Sequence, residues 1–74
     1  MKKHLHFAID KMDNIIFHNV INSDNELLGN IYYFKKWKCY IWEQNDGIVM
    51  SLSCLLELTD YMKKLEANKK YGKF

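Results

Sequence analysis

The sequence predicts an α+β domain: an antiparallel four-stranded β-meander with one C-terminal α-helix packed on one face. Three observations lead there. Four β-branched, aromatic or alternating runs are separated by Asn, Asp and Lys turn signals. One stretch alone, after Ser51, repeats its apolar residues at helical spacing. With 74 residues, no proline and 3 glycines, the chain has neither a linker nor material for a second domain.

The elements follow in order. Leu5, Phe7 and Ile9 alternate with His4, His6 and Ala8, which predicts a half-buried first strand at about 4–10. Lys11, Met12, Asp13 and Asn14 supply a turn, and the run from Ile15 to Ile21 predicts strand two at 15–21. Asn22, Ser23, Asp24 and Asn25 form the strongest turn signal, because Asn and Asp tolerate positive φ and bond their own backbone. Strands three and four are expected at 26–34 and 37–43, around a Lys35-Lys36 turn. Asp46-Gly47 marks a local turn, after which Ser51 or Ser53 caps a helix at 52–66. Its predicted stripe is Cys54, Leu55, Leu58, Tyr61, Met62 and Leu65, with Leu56 outside it. Glu57 early and Lys63 and Lys64 late suit the helix dipole. Residues 67–74 read as a frayed tail in which Tyr71 and Phe74 are able to dock.

Meander registers divide these residues between two faces. Centring the first hairpin on Met12 sets Phe7 opposite Phe17 and His6 opposite His18. The later hairpins set Ile16 opposite Ile31, Ile31 opposite Tyr40 and Gly29 opposite Trp42. One face then carries Phe7, Ile9, Phe17, Tyr32, Phe34 and Ile41, and is assigned to the helix, with Leu58 against Phe7, Phe17 or Tyr32. The other carries Ile16, His18, Ile31, Tyr33, Tyr40 and Trp42. One helix cannot cover both faces, so this second patch becomes the candidate partner-binding surface, for another protein or a second copy in a homodimer.

Composition narrows the function. The hydrophobic fraction of 49% and aromatic fraction of 15% exclude a disordered chain. The net charge is only +2, and all 11 basic residues are lysine, so no guanidinium fork is available for phosphate or guanine. A basic-aromatic cluster at Lys35, Lys36, Trp37 and Lys38 nonetheless keeps nucleic-acid binding as the alternative, with the sheet aromatics as a stacking surface. Cys39 and Cys54 match no metal or redox spacing and read as reduced thiols. His4, His6 and His18 meet the count of a zinc site if they converge, but no carboxylate partner accompanies them, and no metal or cofactor is expected. No phosphate loop, nucleophile elbow or HExxH stands in the sequence, so catalysis is not expected. The N-terminal alternation is neither a signal peptide nor a membrane span.

Gly29, Ile31, Trp37, Lys38, Tyr40, Trp42, Ser51, Cys54, Leu55, Leu58 and Tyr61 give the pattern G-x-I…W-K-x-Y-x-W…S-x-x-C-L. This pattern, over about half the chain, resembles small uncharacterised bacteriophage accessory proteins. A proline often follows the second aromatic in that group, where Gln44 and Asn45 stand here. The resemblance implies phage origin, action in the host cytoplasm, and an accessory role such as anti-CRISPR-like inhibition of a host-defence effector. It implies no active site. A weaker likeness is to DNA-binding domains with a three-stranded sheet backed by one helix, such as integrase arm-binding domains; the lack of arginine argues against that function.

Overall fold

The computed structural model describes residues 4–69. It is a four-stranded antiparallel sheet in the order β1-β2-β3-β4, formed by β1 (Leu5–Met12), β2 (Ile15–Asn22), β3 (Leu27–Phe34) and β4 (Cys39–Gln44), with one helix, α1 (Leu52–Lys69). The predicted fold class is the observed one. Each turn has a local cause. Asp13 and Asn14 both take positive φ (50° and 67°), the twist that a two-residue hairpin requires. Asn22 organises the next turn: its Oδ1 accepts the amides of Asp24 and Glu26 at 3.0 and 2.9 Å. Lys35 to Lys38 form a four-residue turn closed by Lys38 at φ 55°, so β4 begins at Cys39 and not at Trp37 as expected. Ser51 caps α1, its Oγ accepting the Cys54 amide at 3.3 Å. The helix runs three residues beyond its predicted end, and Tyr71 and Phe74 lie outside the described residues.

The helix covers the opposite face from the one predicted. The cause is the first hairpin, where Met12 pairs with Ile15, Phe7 with Val20 and Ile9 with His18. That differs from the predicted register by an odd number of residues, which turns every β1 side chain over relative to β2. Leu5, Phe7 and Ile9 therefore join Ile16, His18 and Val20, and this combined face carries α1. The other two hairpins slip by two residues, leaving their faces as predicted but pairing Ile31 with Trp42 and Tyr33 with Tyr40. The core is Leu5, Val20, Leu28, Ile31, Tyr40 and Leu58. Leu28 enters it at a bulge, where Val20 pairs with Gly29 and Ile21 with Leu27, so that Leu28 is the extra residue. Phe7 packs against this core beside Leu58, whereas Phe17 and Tyr32 meet each other on the open face, ring centres 5.2 Å apart. The helix stripe is Cys54, Leu58, Tyr61, Met62 and Leu65; Leu55 proves exposed, with Leu52 and Leu56.

Two carboxylates orient the helix. Glu57 accepts the His4 and Leu5 amides at 3.0–3.1 Å, and Glu66 accepts the Tyr40 amide at 2.6 Å. The starts of β1 and β4 lie at opposite ends of the sheet, so α1 crosses it diagonally. Trp42 lies under the covered half, its ring over Gly29. A Cβ at Gly29 would meet the Glu43 carbonyl and, at 2.7 Å, the Trp42 ring, so glycine is needed here for close approach.

Candidate docking groove

A diagonal helix leaves one corner of its face bare. That corner lies by the Asp13-Asn14 turn, and it is an open groove of about 940 Å³. Ile9, Ile15 and Ile16 form its sheet side, His18, Tyr33 and Tyr40 its base, and Leu65 with Asn68 its helix wall. Asn14 and Lys35 complete the rim, and Lys35 is the one formally charged residue among the described residues that line it.

Rings that bridge helix and sheet hold this base in place. Phe7 stacks on Tyr61 with centres 3.8 Å apart and planes 5° from parallel. The Tyr61 hydroxyl is hydrogen-bonded to His18 Nδ1 at 2.7 Å. The His18 ring meets Tyr40 edge-on at 6.4 Å, and Tyr40 meets Tyr33 edge-on at 5.5 Å. His18 is only 8% exposed, and burial lowers its pKa below the usual 6.5, favouring the neutral imidazole. Burial, reinforced by the negative Glu66 and by Tyr33 and Tyr61, pushes the Tyr40 phenol up to about 12. The groove thus presents neutral rings and aliphatic groups at neutral pH, a surface suited to apolar side chains.

The structure divides the predicted partner-binding patch. Ile16, His18, Tyr33 and Tyr40 line the groove, with His18 and Tyr40 at its base. Ile31 is fully buried beneath α1, and Trp42 packs against the same core, so neither forms an uncovered surface. Ile9, Ile15, Asn14, Leu65 and Asn68 were not anticipated. Ile9 was recoverable: reading Asp13-Asn14 as a two-residue turn places it opposite His18. Of the alternative basic site, Lys35 is at the groove rim, while Lys36, Trp37 and Lys38 are exposed on the turn, Trp37 at 68%. The three histidines do not converge, because His6 pairs with Ile21 on the open face while His18 is under the helix. Among the described residues no helix is long and apolar enough to cross a membrane. Comparison with known proteins finds no family model, curated protein or solved structure that matches this chain.

Proposed function

We propose that this chain is a non-catalytic binding module that captures a partner protein in the groove between α1 and the β1–β2 hairpin. The observation that carries this reading is an open groove of about 940 Å³ walled by isoleucines and leucine and based on neutral rings. Small domains seldom leave so much apolar surface uncovered without a partner. The partner presents large apolar side chains with an acidic neighbour to meet Lys35. Combined with the resemblance to phage accessory proteins, this makes the partner a host protein, such as a CRISPR-type defence effector, which the module inhibits in the host cytoplasm by occupying one of its surfaces.

Capture from host lysate with wild type and Ile16→Lys tests it. Ile16 is 47% exposed, so the charge enters the groove without disturbing the core. The expected result is a host protein bound by wild type, inhibited by it, and lost at least tenfold with Ile16→Lys. Equal capture by the variant removes the groove as the site. The alternative, a nucleic-acid-binding regulator, is favoured by one observation, the exposed Trp37 among three lysines. Its signature is affinity for random DNA that falls steeply with salt and disappears with Trp37→Ala.

A further inference from the structure

The β1 edge is the place where the sheet is left unfinished. The Asp13-Asn14 hairpin fixes Met12 and Ile15 as a hydrogen-bonded pair, so the amides of Leu5, Phe7, Ile9 and Lys11 point away from β2. Glu57 takes the Leu5 amide and Asp10 Oδ1 takes that of Lys11, at 3.1 and 2.9 Å. Between them, the outward amides of Phe7 and Ile9 have no partner among the described residues. On the opposite edge, Glu66 takes the Tyr40 amide, and Gln44 holds the following loop through the Ile48 carbonyl at 2.8 Å. Both edges carry carboxylate caps and open donors, but among the described residues only β1 sets its open donors beside a large exposed apolar residue, Ile9.

We propose that two copies of this chain join through β1, antiparallel about a two-fold axis at Ala8, into one continuous eight-stranded sheet. The side chains select this register. Phe7 of each copy falls opposite Ile9 of the other, and their outward amides and carbonyls form four backbone hydrogen bonds. On the helix face, Lys11 arrives opposite Leu5, the residue whose amide Glu57 holds, so a cation meets that carboxylate. On the open face, Asp10 arrives opposite His6, and the small Ala8 meets its own copy at the axis. Each off-axis contact occurs twice, as a two-fold requires. Pairing covers Ile9, 68% exposed in the single chain, and brings the two docking grooves side by side on one face. The inference rests on the β1 edge and holds whether or not the grooves capture a host protein.

Light scattering of the full chain from about 1 μM to about 1 mM spans weak to moderate association. The mass is expected to rise with concentration from 8.9 kDa to twice that value. Ile9→Pro removes an outward amide that has no partner among the described residues, so it leaves the fold intact while weakening dimerisation at least tenfold. Lys11→Glu sets two carboxylates together and weakens it as well, with wild-type circular dichroism. Ala8→Cys places two thiols across a pair with Cα atoms about 4.5 Å apart, and mild oxidation converts it to a covalent dimer in excess of wild type. A chain that stays monomeric throughout, a dimer indifferent to Ile9→Pro and Lys11→Glu, or an Ala8→Cys variant that does not cross-link overturns the proposal.

Discussion

His18 is the residue at which packing and chemistry are most tightly joined. Its imidazole lies between the sheet and the helix, hydrogen-bonded to Tyr61 at 2.7 Å, with Tyr40 edge-on. Because burial lowers its pKa, the folded chain binds fewer protons at this site than the unfolded chain does below pH 6.5. Its stabilising contribution is complete above that value and declines as pH falls through it, until the folded form also protonates. Urea midpoints are expected to fall between about pH 7.5 and about pH 5, and the His18→Asn variant to flatten that part of the dependence. Tyr61→Phe keeps the stack on Phe7 but leaves a buried ring nitrogen unpartnered, a loss of about 1–3 kcal/mol. A Tyr61→Phe variant as stable as wild type would show that water replaces the hydroxyl.

At the scale of elements, all four strands and the helix were legible in the sequence, because each turn advertises itself with Asn, Asp, Gly or Lys and each run has one dominant period. Registers were harder. A hairpin's register depends on which two residues make the turn, and Lys11 to Asn14 offer several choices. The positive φ of Asp13 and Asn14 selects one of them. The odd shift that results moved three apolar β1 residues to the other face, and with them the helix. Ile31 and Trp42, two of the six predicted site residues, thereby went under the helix. Leu58 was identified correctly as buried, because helical spacing does not depend on the sheet register. It sits at the crossing point of α1 over the sheet, among Leu5, Val20, Ile31 and Tyr40. Leu58→Ala is expected to cost about 2–5 kcal/mol, read from denaturant melts, since little around it can move in to fill the space. A loss below about 1 kcal/mol would mean that the helix settles onto the sheet without it.

As a whole molecule, the chain combines a well-paired sheet with a lightly attached helix. Each hairpin is local in sequence and continuous through its ladder. Among the described residues, the helix joins the same core through one narrow stripe, the Tyr61–His18 bond and the two carboxylate caps at Glu57 and Glu66. Its outer surface leaves Leu52, Leu55 and Leu56 exposed by 43–72%, so burial there adds little to its attachment. Most of a helix's stability in a protein comes from packing its apolar face, so an undocked α1 is expected to unfold. These terms predict two levels of opening: a lower-energy step in which α1 leaves the sheet, and a higher one in which the sheet itself unfolds. The groove belongs to the lower level, because Leu65 and Asn68 form its helix wall and a partner seated there binds only the docked form. Native-state hydrogen exchange measures both levels. Amides in the middle of α1 are expected to exchange at a lower free energy than those of Val20 and Ile31, and Leu58→Ala to lower the helix value more than the sheet value. A single free energy shared by helix and sheet, falling equally in the variant, would show that the domain opens as one unit and that the groove exists whenever the sheet does.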